Sequence, residues 1–340
     1  MANDLTTSPI QRQNILNNPF ALAEIEKAIG LRGIEFEGQR VVLLDQVAFF
    51  FRVHRRTIER SVASNKEELE RNGYDVIRGN RLISLKESIS RYDGTDINVG
   101  TIARASVLTV FDFRALINIA MLLTDSDRAR VLRQAMLDIV IDTINAKSGG
   151  GTKYVNQRDE EFLERAFSGE VYRKEFTDAL NKCVEMGKSK YPIYTDQIYH
   201  EIFLENARLY RKIINLEQGE KTRDAFYSEI LTLIASFETG LAEQIKTKSS
   251  ELGRKLDPHE VDEIFDAFSA RSHLKPFLDI ARKKMASRDL ALRGATHPYL
   301  EAYIAPLPRE EFERFLGARS KEFSERLEEA KDVMKRLKDR

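Results

Sequence analysis

The chain has 340 residues, 42% hydrophobic and 32% charged, enough apolar content for a core and well away from a disordered composition; length alone suggests two or three domains. Its 54 basic and 54 acidic residues cancel, which excludes a global field drawing the protein to nucleic acid or membrane, so electrostatic recognition has to be local. The single cysteine, Cys183, excludes an intrachain disulfide framework and suits a reducing, cytoplasmic setting.

Residues 1–18 are mostly polar and are expected to be loose. Their opening stretch, MANDLTTSPIQRQN, lacks the apolar core of a signal peptide. Residues 19–30 read as a short helix, with Asn18 as its cap, Pro19 at its first position and Gly30 as its stop. Residues 34–42 alternate, as a strand does.

The stretch 41–85 reads as a helix, a tight turn, a second helix and a hairpin, the order of a winged helix-turn-helix. Val47, Ala48, Phe51 and Val53 fit a short helix turning a corner, and Ile58 and Val62 place an apolar stripe on the next one. Ala48 is small where two crossing helices approach closely, whereas Arg52 stands where such a turn usually takes glycine. Phe49, Phe50 and Phe51 are consecutive, so one of them must face away from this core. On the outer side of the second helix stand Arg55, Arg56, Glu59 and Arg60, a face suited to a major groove, and Thr57, where such motifs keep a small hydroxyl residue, is counted with the arginines as DNA-binding. Beyond Asn72-Gly73, the strand-forming residues Tyr74, Val76, Leu82, Ile83 and Leu85 flank Gly79-Asn80, a pair that tolerates positive φ and favours a hairpin tip. Arg78, Asn80 and Arg81 at that tip are the expected contacts to phosphates or a minor groove. Between Arg52 and Arg91, ten basic residues stand against six acidic ones on a chain that is neutral as a whole. The competing reading is an ordinary buried helix pair with solvated arginines.

Residues 92–105 form a turn-rich connector. Residues 107–111 (VLTVF) read as a strand, Asp112 as the cap of a helix over 113–123, and Ser126 precedes another helix over 127–146. Gly149-Gly150-Gly151 cannot continue a helix cheaply and marks the main boundary. The remainder, 152–340, reads as almost wholly helical, with candidate helices at 156–167, 172–186, 195–214, 221–250, 258–270, 275–287 and 309–338. The 221–250 segment carries Phe226, Ile230, Leu233, Ile234, Phe237 and Leu241 on one face and is the expected centre of a bundle. The last helix has a heptad-like seam of Phe323, Leu327, Ala330, Met334 and Leu337, which either dimerises the chain or packs on its own bundle.

Chemistry-bearing motifs are sparse. No phosphate loop, dinucleotide fingerprint or nucleophile elbow occurs, and the five histidines lack metal-ligand spacing. No catalytic residue, metal or cofactor is assigned, and no run is long enough to span a bilayer. His297-Pro298 begins like a Fic-type motif, but the required glycines do not follow. Two polar clusters, at 153–159 and 283–293, either line a ligand site or are ion pairs at helix ends; a buried, convergent pocket between them would favour the former.

The order winged helix-turn-helix, strand, helix, and a helix opening Ser-x-Arg-Ala-x-x-aromatic-Arg-x-Trp resembles the RhuM-type virulence proteins and the related Bro/KilA-type DNA-binding domains of phages and mobile elements. The matching residues are Ser126, Arg128, Ala129 and Arg133; Leu132 stands at the aromatic position and Ala135 at that of the Trp. The resemblance covers about residues 40–147 and implies a DNA-binding protein of a bacterial or phage mobile element. The expected architecture is therefore mainly α with a small α+β N-terminal part: a winged helix-turn-helix domain (1–105), a strand-helix-helix unit (106–148) and an all-helical domain (149–340) for oligomerisation or effector activity. The expected function is sequence-specific binding of double-stranded DNA by a homodimer, with a possible protein partner at the helical domain. The rival is an effector or toxin of a defence or toxin-antitoxin system.

Overall fold

The computed structural model describes residues 4–30, 32–92, 99–322, 324, 325 and 328. The chain divides into two units, residues 1–143 and 144–340. It is mainly helical with one small antiparallel sheet.

In the first unit, α1 (Pro9–Asn17) and α2 (Pro19–Ile29) meet at Asn18, whose side chain accepts from the amides of Phe20 and Ala21 at 3.2 and 3.1 Å. Residues 4–18 are thus packed rather than loose. Leu5, Ile15 and Leu16 are buried, and Arg12 grips Glu68 through two 2.7 Å bonds. One Ile-Leu pair was too short a signal to show periodicity.

The alternating run after α2 is a hairpin, not one strand. β1 (Ile34–Phe36) and β2 (Gln39–Leu43) are joined by Glu37 and Gly38, both at positive φ, 50° and 78°, as a primed turn requires. Three helices follow: α3 (Leu44–Phe51), α4 (Arg55–Ser64) and α5 (Lys66–Arg71). They lead to β3 (Tyr74–Ile77).

Here the structure departs most from the sequence reading. Gly79 and Asn80 do not turn a hairpin; they begin α6 (Gly79–Ser90). Leu82, Leu85 and Ile89 recur at helical spacing and are buried, while Ile83 is left exposed. A period-2 reading of 82–85 mistook part of that helical stripe for a strand. The partner of β3 comes instead from later in the chain, after α7 (Val99–Arg104). It is β4 (Leu108–Phe111), which completes the order β1-β2-β4-β3. Tyr74 lies opposite Phe111, and Val42 pairs with Phe111 from the other side. Because β4 is a central strand, residues 106–143 share a unit with 1–105 and do not stand apart.

Asp112 caps α8 (Phe113–Leu122), accepting from the Ala115 amide at 2.8 Å, and α9 (Asp127–Lys147) follows. Two cores lie on the two faces of the sheet. One joins Leu16, Ile25, Val47, Phe51, Ile58, Phe111 and Leu116. The other joins Ile34, Phe36, Leu43, Val110 and the buried stripe of α6.

The second unit contains α10 (Phe162–Cys183), α11 (Lys190–Phe203), α12 (Ala207–Ile213), α13 (Ser228–Leu252), α14 (Pro258–Ser269), α15 (Lys275–Arg288) and α16 (Arg309–Leu316). The helices expected at 156–167 and 172–186 are largely one, α10. It packs along α13, which buries Ile230, Ile234, Phe237, Leu241 and Ile245. Gly240 lets α14 approach: a Cβ there would sit 2.3 Å from the Phe268 ring. The seam residues Phe323, Leu327, Ala330, Met334 and Leu337 lie outside the described residues. Among the described residues, no helix is long and apolar enough to cross a membrane.

Candidate functional site

α3 and α4 are joined by Arg52, Val53 and His54. Arg52 adopts the left-handed conformation at φ 52°, which costs a non-glycine residue about 1–2 kcal/mol. The corner is held from outside. Ser126 donates its Oγ–H to the Phe51 carbonyl at 2.7 Å and accepts from the Ala129 amide at 3.1 Å. Arg128 donates to the Phe50 carbonyl at 2.7 Å. Arg133 donates to the carbonyls of Ala120 and Leu123 at the end of α8. Three of the four residues that carry the family resemblance, Ser126, Arg128 and Arg133, therefore tie α9 to the ends of two other helices, and the fourth, Ala129, is buried.

α4 rests on Ile58 and Val62, both buried, and exposes Arg55, Arg56 and Arg60; Thr57 is half-buried. The His54 ring accepts from the Arg56 amide at 3.2 Å and caps the helix. Arg55 bonds Asp45 at 2.7 Å and Glu59 at 2.9 Å, pairs that raise its pKa. Arg52, Arg56 and Arg60 have no carboxylate partner among the described residues. Phe49, on the last turn of α3, is 73% exposed; it is the member of the Phe triplet that faces away from the core.

The expected flanking contacts lie elsewhere. Arg81 makes a bidentate pair with Glu37 at 2.7 and 2.8 Å, and reaches Asp75 at 2.9 Å. Arg78 and Asn80 are exposed at the start of α6. That helix packs on the sheet face opposite the one that carries α4. The structure thus groups Arg55, Arg56, Thr57 and Arg60 and separates Arg78, Asn80 and Arg81 from them, because a helix replaced the wing.

No family model, curated protein or solved structure matches the chain.

In the second unit, the clusters at 153–159 and 283–293 do converge. Arg293 donates to Asn156 at 2.7 Å, to Asp289 at 2.9 Å and to the Tyr210 hydroxyl at 3.1 Å. His297 lies between two carboxylates, 2.7 Å from Asp289 and 2.8 Å from Glu205. Arg288, fully buried, holds Glu229 with bonds of 2.7 and 2.9 Å and also pairs with Glu311. Arg314 takes Asp159 in a bidentate pair at 2.8 and 2.9 Å, and Asp159 accepts from Ser228 at 2.6 Å.

Burial alone would depress the His297 pKa, but hydrogen bonds to Asp289 and Glu205 outweigh it and raise the value to about 9. Burial would likewise raise Asp289, yet Arg293 and His297 hold it below the usual carboxylate range. With His297 protonated, its charge and that of Arg293 balance Asp289 and Glu205. Glu205, Tyr227, Glu229 and Arg314 were missed in the sequence, since each lies far along the chain from its partners. Their one signal was the charge of Glu229 in the first turn of a helix that is otherwise largely apolar.

The network's polar groups mostly satisfy one another, and they fasten helices together. Asp159 and Arg314 also line an open cleft of about 590 Å³, alongside Glu160, Glu161 and Glu310. His259 pairs with Glu263 at an exposed helix start. Among the described residues, no group of three or more His, Cys, Asp or Glu is arranged to hold a metal ion.

Proposed function

We propose that the N-terminal unit binds double-stranded DNA through α4. The observation that carries this is the two-sidedness of that helix: Ile58 and Val62 seat it, while Arg55, Arg56 and Arg60 face solvent immediately after the Arg52 corner. An α-helix fits the major groove, and guanidinium groups there make bidentate contacts to guanine. The pairs of Arg55 with Asp45 and Glu59 are half exposed. Such pairs contribute about 0–1 kcal/mol, so Arg55 can exchange them for phosphate. One such helix grips few base pairs, and a second copy would supply the other half-site. That fits a regulator of a bacterial or phage mobile element acting as a homodimer.

The test is a gel shift on the DNA upstream of its own gene, at two salt concentrations, with the wild type and Arg56→Ala/Arg60→Ala. Loss of affinity and of sequence preference in the variant supports the reading. Unaltered binding by a folded variant removes α4 from the interface.

A second reading, an effector or toxin activity in the helical unit, is favoured by the meeting of the buried network with the cleft at Asp159 and Arg314. Growth arrest on expression of the intact chain, relieved by Glu310→Ala at the cleft wall, would support it. Harmless expression would count against it.

A further inference from the structure

The neutral first unit carries a second basic surface away from α4. β1 and β2 place Glu35 opposite Arg40 in register, both on the exposed side of the hairpin. α6 packs beside β1 through Leu85 and Ile89, which join the core around Ile34 and Phe36. This brings the end of α6 against the hairpin. Between them lies a cleft of about 570 Å³ lined by Arg32, Gly33, Glu35, Arg40, Ser88, Arg91 and Tyr92.

Three guanidinium groups line this cleft against one carboxylate. Arg40 reaches Glu35 only at 3.9 Å and Arg91 reaches Glu87 only at 4.0 Å, too long for strong hydrogen bonds. Arg32 has no ion-pair partner among the described residues. Among the described residues these arginines thus meet carboxylates only at 3.9 Å or more. Among the described lining residues the surplus is two positive charges; Glu87 beside Arg91 and about half a negative charge at the C-terminal end of α6 reduce it without cancelling it. The cleft is open, and its cations are spread over two elements. That suits an extended polyanion better than one small anion.

We infer that this cleft holds the sugar-phosphate backbone of nucleic acid. The inference takes its occupant from the DNA reading of α4. The cleft lies on the α6 side of the sheet, apart from α4; there Arg81 is consumed by Glu37 and Asp75, whereas Arg40 and Arg91 meet carboxylates only at 3.9 and 4.0 Å. Such contacts hold a stretch of backbone apart from the groove that α4 enters and carry no sequence information.

The test is Arg32→Ala/Arg40→Ala/Arg91→Ala in the full chain, with a thermal melt to confirm folding. DNA affinity is then measured by fluorescence anisotropy across a salt series. Affinity should fall on cognate and unrelated duplexes alike, and the slope of log K against log salt should shallow by roughly two to three units, at about 0.9 per lost phosphate contact. A variant with the wild-type slope, alongside an Arg56→Ala/Arg60→Ala variant that loses affinity, overturns the cleft and leaves α4 standing. If the wild type binds no duplex, the α4 reading fails and the cleft is judged on single-stranded oligo(dT). Binding lost in the triple variant supports it there; no binding, or equal binding by both proteins, overturns it.

Discussion

Arg81 on α6 closes a bidentate ion pair on Glu37 in the β1–β2 turn, at 2.7 and 2.8 Å. The two residues are forty-four positions apart, and their contact stitches the helix to the hairpin. Both side chains are about half exposed, so solvent screens the pair and it adds little to stability. Replacing Arg81 with Ala should lower stability only slightly and leave the salt dependence of DNA binding unaltered. A shallower salt slope in the variant, measured as for the triple arginine variant, would show that Arg81 leaves Glu37 to meet phosphate.

Gly73 and Asp112 make a tighter contact. Gly73 has φ 95° and its carbonyl accepts from the Asp112 amide at 3.1 Å. A Cβ on Gly73 would fall 2.0 Å from the Asp112 carboxylate, which already caps α8. In Gly73→Ala the carboxylate must move and the backbone must hold a conformation L-residues avoid, a combined cost of about 2–4 kcal/mol. Asp112→Ala alone should cost about 1 kcal/mol for the lost cap. Denaturant melts of both single variants and the double variant check this. The double variant should be more stable than the sum of the two losses implies, because removing the carboxylate removes the clash. Strict additivity would locate the strain elsewhere.

Ser126→Ala removes one hydroxyl that serves two helices, as donor to the end of α3 and acceptor at the start of α9. Losing a cap and a buried hydrogen bond together should cost about 2 kcal/mol. The helix pair carrying the arginines should then loosen at its corner. Amide exchange at residues 50–54 should quicken more than at β4. Unchanged exchange there would mean that Arg128 alone secures the corner.

Local signals in the sequence were reliable where one element decided them. Asn18 with Pro19, and Asp112, cap helices where their side chains allow. The outward arginines and buried Ile58 and Val62 of α4 follow from helical period alone. The wing failed because Gly79-Asn80 is compatible with two outcomes. The choice was made by β4, whose side-by-side pairing with β2 and β3 no local pattern encodes. The buried network failed for a related reason. Asp159 and Arg314, or Asn156 and Arg293, are separated by more than one hundred residues, and each alone resembles a solvated helix-end charge.

His297 offers a pH test of that network. Its folded pKa of about 9 lies above the ordinary histidine value of 6.5. The group is thus protonated in the fold at pH values where the unfolded chain has released the proton. Its contribution is fully present below pH 6.5 and is lost as pH rises through about 9. By linkage that contribution is on the order of 3 kcal/mol. Stability measured by denaturant unfolding at pH 6, 7.5 and 9.5 should decline across this window in the wild type. His297→Gln keeps a hydrogen-bonding side chain but strands Asp289 and Glu205 without their shared cation, a buried-charge penalty of about 3–5 kcal/mol. The variant should be less stable at pH 6 and lack most of the decline between 6.5 and 9. An equally steep decline in the variant would assign the pH dependence to other groups. It would place His297 in the fold as a neutral ring.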